Sequence, residues 1–177
     1  MNTRGAIVAV IALFVGLPAA ATDFENEVLR FSPPARLAGP GGFHPRHSLP
    51  IANFRGDVSD SGITTLLQIV TWDAKRRQPG DSPSDMTDYC LMEMEGANRI
   101  RDRAEEFVGP IHLTIDGMPA SRVSWVGRNA GADAHADMYC VLVGNVMVHF
   151  FFVEYLPISE GLRTDVIEAL EGTDFRK

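Results

Sequence analysis

The sequence predicts a single α+β domain: a mainly antiparallel β-sheet with one long helix and one C-terminal helix packed on it. Three observations point there. Two β-rich runs flank Gly144-Asn145, a dipeptide suited to a two-residue hairpin turn. A stretch opening at Ser82-Pro83-Ser84-Asp85 carries apolar residues at helical spacing. The other apolar runs are short, rich in β-branched residues and separated by turn pairs, with no repeat period.

The central hairpin, Asp137 to Pro157, organises the rest. A turn at Gly144-Asn145 sets Val143 opposite Val146, Val141 opposite Val148, Cys140 opposite His149 and Tyr139 opposite Phe150. One face then carries Tyr139, Val141, Val143, Val146, Val148 and Phe150. The other carries Met138, Cys140, Leu142, Met147, His149, Phe151 and Val153. Both are apolar, as in a sheet covered on two sides, or covered on one and used as an interface on the other. Gly144→Val is expected to be severely destabilising, because a β-branched residue fits poorly where φ is positive.

In chain order, residues 1–21 read as a secretory signal peptide. Arg4 supplies the positive start, Ala6 to Leu17 the apolar core and Ala19-Ala20-Ala21 the cleavage pattern. The apolar run falls short of the about 20 residues that span a bilayer. Cleavage after Ala21 is therefore expected, leaving residues 22–177 as one domain with no stable membrane span, periplasmic or secreted. An uncleaved anchor is the alternative, and mass spectrometry finding Thr22 as the first residue decides between them.

Asp23 to Phe31 reads as a first strand, and Ala38 to Gly62 as a long loop. Within it, Gly39-Pro40-Gly41-Gly42 lacks the Lys and helix start of a phosphate cradle. Ile63 to Trp72 is a strand by β-branched content, followed by a basic turn from Lys75 to Gly80. Ser82 caps the long helix, whose buried stripe is Met86, Cys90, Ala97, Ile100, Ala104 and Phe107; Gly109-Pro110 ends it. Ile111 to Asp116 and Met118 to Val126 form a hairpin about Asp116-Gly117. Gly127 to Ala136, small and polar, reads as a loop before the central hairpin. Ser159 then caps a last helix with Leu162, Val166 and Leu170 on one face, stopped by Gly172.

Charge and cysteine content narrow the function. The net charge is −7, which argues against nucleic acid and anionic membrane surfaces as partners. Two cysteines in an exported chain read as one disulfide, Cys90–Cys140. The alternative, a catalytic thiol, leaves the second cysteine unexplained.

The order of elements resembles the PsbP-like fold, shared by extrinsic subunits of photosystem II, a nuclear-import Ran-binding factor and bacterial secreted proteins. The likeness rests on Phe31-Ser32-Pro33-Pro34, on Ile115-Asp116-Gly117-Met118-Pro119-Ala120-Ser121-Arg122, on the long apolar hairpin and on the closing helix with Phe175 behind it. It implies binding and assembly roles and no shared active site.

Asp133-Ala134-His135-Ala136-Asp137 is the most suggestive constellation for chemistry. Alternation sets Asp133, His135 and Asp137 on one side of an extended strand, within reach of a divalent ion, and His44 and His47 are further candidate ligands. His149 opposite Cys140 is a candidate nucleophile pair. No Gly-x-Ser-x-Gly elbow or His-Glu-x-x-His helix occurs, and no cofactor is expected. The leading expectation is therefore an envelope protein that binds another protein, such as an immunity or inhibitor protein against a delivered toxin. Its exposed loops, with Arg76, Arg77, Asp133, His135 and Asp137, would make the contact. The alternatives are an accessory subunit of an envelope complex, or an enzyme using metal at Asp133/His135/Asp137 or a thiol at Cys90 or Cys140.

Overall fold

A computed structural model describes residues 21–41, 51–58, 64–73, 90–92, 94, 103–129, 131–156 and 161–176. The expected signal peptide (save Ala21), the expected basic turn with Arg76 and Arg77, and the expected helix caps Ser82 and Ser159 lie outside them, as do His44 and His47.

Seven strands form one antiparallel sheet: β3 (Ala38–Gly41), β4 (Ile51–Val58), β5 (Thr64–Asp73), β6 (Arg103–Ile115), β7 (Met118–Asn129), β8 (Ala132–Val143) and β9 (Val146–Tyr155). Their spatial order is β3-β4-β5-β9-β8-β7-β6. The hairpin β8–β9 sits near the middle with the register that its turn dictates: Val143 faces Val146, Cys140 faces His149 and Tyr139 faces Phe150. Gly144 has φ 60° and Asn145 does not share that sign, the pattern of a type II′ turn. In the β6–β7 hairpin Asp116 (φ 47°) and Gly117 (φ 74°) are both positive, the pattern of type I′.

Both faces of the sheet are covered. On the first, Phe54, Leu67, Ile69, Tyr139, Val141, Val148, Phe150 and Phe152 pack beneath Leu162, Val166 and Leu170 of helix α1 (Leu162–Glu171). A small second sheet closes that core: β1 (Phe24–Glu25), β2 (Leu29–Phe31) and β10 (Asp174–Phe175), in the order β1-β2-β10. The Phe31 ring lies 5.8 Å from Phe54 and 5.7 Å from Phe150. On the second face, Val123, Trp125, Met138, Cys140, Met147, Phe151 and Val153 are met by Cys90 and Met94 of a helical segment. The Cys90–Cys140 disulfide ties that segment to β8, with Cα atoms 5.6 Å apart and a sequence separation of 50. The two faces divide the hairpin residues as alternation predicts.

Five expectations need correction. The long helix does not reach Phe107: Ala104 and Phe107 belong to β6, paired with Gly127 and Trp125 of β7. Arg103-Ala-Glu-Glu favours helix locally, but propensity is a weak prior and a long ladder with β7 overrides it. Gly109-Pro110 does not end an element; it sits in β6 where the register shifts between Val108 and Ile111. There Gly109 has φ 106°, and a Cβ would lie 2.7 Å from the Arg122 carbonyl oxygen, so only glycine lets the strands approach.

The expected loop over 127–136 is strand except at its tip. Ten cross-strand pairs, Ala120–Val141 to Asn129–Ala132, hold small residues that have little β-preference of their own. The expected first strand is two short ones, turned by Asn26, whose Oδ1 accepts the N–H groups of Val28 (2.8 Å) and Leu29 (2.9 Å). Finally, 38–62 contains β3 and β4. Ala52 and Phe54 point inward from β4, and Pro40 is tolerated because β3 is an edge strand.

Candidate functional site

The strands that carry the Asp133/His135/Asp137 string bring together a polar cluster on the face beneath α1. Register places Arg122 opposite Tyr139 and Ser124 opposite Asp137, while His135 faces Glu154 across β8–β9. Alternation puts all of these on one side, and Arg163 of α1 descends onto them.

Asp137 is 1% exposed. Its Oδ1 accepts from Arg122 Nε (2.8 Å) and Nη2 (2.6 Å), Ser124 Oγ (2.5 Å) and Arg163 Nη2 (3.1 Å). Its Oδ2 accepts from Arg163 Nε (2.6 Å). Burial by itself pushes this carboxyl up. Hydrogen bonds from Arg163 and Ser124, with the charges of Arg122 and Arg163, outweigh burial and hold it below the usual carboxylate range. The same bond, donated by Arg163 to Asp137, pushes the Arg163 guanidinium up.

Glu154, also buried, accepts the backbone N–H of Arg163 at 3.2 Å, and its Oε1 lies 3.1 Å from His135 Nδ1. The first contact answers a need of the helix. α1 starts after Gly161 with no side-chain cap, and Glu154 satisfies one of the orphan N–H groups of its first turn.

The three residues singled out as a metal set therefore have separate partners. Asp133 is exposed and lies 3.6 Å from Arg128 Nε, His135 meets Glu154, and Asp137 is held by two arginines. Among the described residues no group of three or more His, Cys, Asp or Glu is placed to hold a metal ion. Asp137 is sealed off, so among the described residues of the expected contact set Asp133 and His135 present themselves to solvent.

His149 does lie opposite Cys140, but Cys140 is in the disulfide and has no thiol. Trp72 Nε1–H donates to His149 Nε2 at 3.3 Å, with the rings edge to face at 5.8 Å. That is the setting of a packed structural histidine.

Sequence reasoning missed Ser124, Glu154 and Arg163 altogether, and placed Arg122 only within a motif. One signal was present: charged or hydroxylic residues at inward positions of otherwise apolar strands. Such groups fold inward only with partners.

Beside the cluster, a groove of about 160 Å³ runs between α1 and the outer strands. Ile111, Leu113 and Ile115 of β6 form one wall, and Ile167 and Leu170 of α1 the other. Arg122 and Tyr139 line its base, and exposed Glu171 stands at the rim. The Arg122 guanidinium carbon lies 5.5 Å from the Tyr139 ring centre. Farther along the same end of the sheet, Phe107, Val108, Ile111 and Val126 remain 39–46% exposed. β6 is the last strand in the sheet order.

No family model matches the chain, and no curated protein matches it. Solved structures do. Cyanobacterial PsbP from Synechocystis sp. PCC 6803 is similar over 94% of this chain and 98% of its own, with TM-score 0.61 at 12% identity. PA94 from Pseudomonas aeruginosa, a protein of unknown function, is similar over 74% of this chain and 86% of its own, with TM-score 0.52 at 15% identity. The chain has a PsbP-like fold.

Proposed function

We propose that this chain is an exported cell-envelope protein that works by binding another protein, as an immunity or inhibitor protein does with a delivered toxin. The observation that carries this reading is the apolar surface at the end of the sheet, where Phe107, Val108 and Ile111 on the last strand and Val126 beside it face solvent. Val108, Ile111 and Val126 share the face beneath α1, while Phe107, opposite Trp125, looks to the other, so this edge exposes apolar side chains on both faces. Exposed apolar groups gathered at one edge cost solubility and mark contact surfaces. The chain's net charge of −7 favours a basic partner, whose approach it accelerates at low salt. Exposed Asp133 and half-buried His135, with Arg76 and Arg77 from the basic turn, extend the expected contact set.

The enzyme alternative has less support. Both cysteines are joined to each other, and both Asp137 oxygens are already bound. An accessory subunit of an envelope complex would use the same surface for a different partner.

Capture from native envelope extract, run beside a Phe107→Asp/Val108→Asp variant, identifies a partner to purify and titrate. The expected result is a complex whose Kd rises at least about tenfold in the variant, as for an interface hot spot, and rises with salt. Equal binding by both proteins overturns the reading. So does turnover of a small substrate by the purified chain that a chelator abolishes.

A further inference from the structure

The groove beside α1 has a chemistry that the Asp137 cluster does not use. Two donors at its base have no acceptor among the described residues. Tyr139 is 4% exposed and lines the groove, yet its hydroxyl has no hydrogen-bond partner among the described residues. Arg122 gives Nε and Nη2 to Asp137, and its Nη1 has no partner among them either. Both groups are therefore available as donors to a molecule lying in the groove.

The walls are aliphatic: Ile111, Leu113 and Ile115 on one side, Ile167 on the other. An apolar slot with a guanidinium and a phenol at its base matches a molecule with one anionic oxygen-bearing end and a hydrocarbon body. We propose that this groove binds a small monocarboxylate whose carboxylate accepts from Tyr139 and Arg122 while its apolar body lies along the isoleucines. The volume suits a body of about six carbon atoms, by comparison with cavities of similar size that take benzene.

Three further features fit. Burial pushes the Tyr139 phenol up to about 12, so it remains a donor at neutral pH. Asp137 fixes the guanidinium in place before any ligand arrives, which lowers the ordering cost of binding. Glu171 at the rim repels a second negative charge, so a dicarboxylate of the same length should be excluded.

The test is a methyl-detected NMR titration of the purified protein with hexanoate, beside hexanol, hexylamine and adipate. Hexanoate is expected to shift the methyl signals of Ile111, Leu113, Ile115 and Ile167 in a saturable way, and the other three to bind at least about tenfold more weakly. Tyr139→Phe should weaken hexanoate about tenfold, the worth of one hydrogen bond to a charged group. Ile167→Trp should fill the groove and abolish the response, with signals remote from it unchanged in both variants as the check on folding. Hexylamine binding as well as hexanoate, an unchanged affinity in Tyr139→Phe, or silence up to the solubility limit would each overturn the assignment. So would saturation by a peptide ending in a free leucine carboxylate where hexanoate does nothing.

Discussion

Asp137 shows how one carboxylate can fasten three elements. It joins β7 through Arg122 and Ser124 and α1 through Arg163, from its own place in β8. Asp137→Ala leaves two guanidiniums facing a cavity. Because their side chains keep 25% and 34% exposure, they can turn towards water, so the expected loss is near the low end for a broken buried pair, about 3 kcal/mol. The lowered pKa sets the sign with pH. Stability from this group is complete above the ordinary carboxylate value near 4 and disappears as pH falls through the depressed folded value. Urea midpoints of wild type and variant should therefore differ widely at pH 7 and converge in strong acid; a constant gap would show that the ionised form is not what matters.

At the scale of elements, two glycines separate conformation from packing. Gly144 has φ 60° with nothing within 4 Å of a Cβ, so Gly144→Val meets strain alone, about 1–3 kcal/mol. That is milder than the turn alone led us to expect. Gly109 combines φ 106° with backbone 2.7 Å away, so Gly109→Ala should cost about 3 kcal/mol or more. Thermal melts of the two should rank in that order, and the reverse would mean that the β6 irregularity relaxes easily. The hairpin registers were legible because turn and alternation are local facts, written within a dozen residues. β6 was not, since its first residues favour helix and its partner ladder is built by residues farther along the chain. The Asp137 cluster was half legible: alternation put His135 and Asp137 on one face, but nothing nearby announces Arg163, 26 residues on.

For the whole molecule, the disulfide is the covalent link between the sheet and the helical segment on its second face. It closes 50 residues, for which the chain-entropy model gives about 4 kcal/mol. Cys90→Ser or Cys140→Ser should lose about 2–5 kcal/mol in chemical denaturation, and a reducing agent should lower the wild-type midpoint to match. Two titratable thiols in unreduced protein would remove the basis of that expectation. The described residues contain no helix long and apolar enough to cross a membrane.

The tertiary cap on α1 has a consequence for how the fold is reached and left. A ten-residue helix is marginal in water, and this one lacks its own capping side chain and any basic residue in its last turn. Its footing, the Glu154 acceptor and the Asp137 anchor, exists only once β8 and β9 have paired. The helix should therefore dock late in folding and detach as a unit before the sheet opens. In hydrogen exchange its amides, that of Arg163 included, should trade for deuterium together and well ahead of those of β8 and β9.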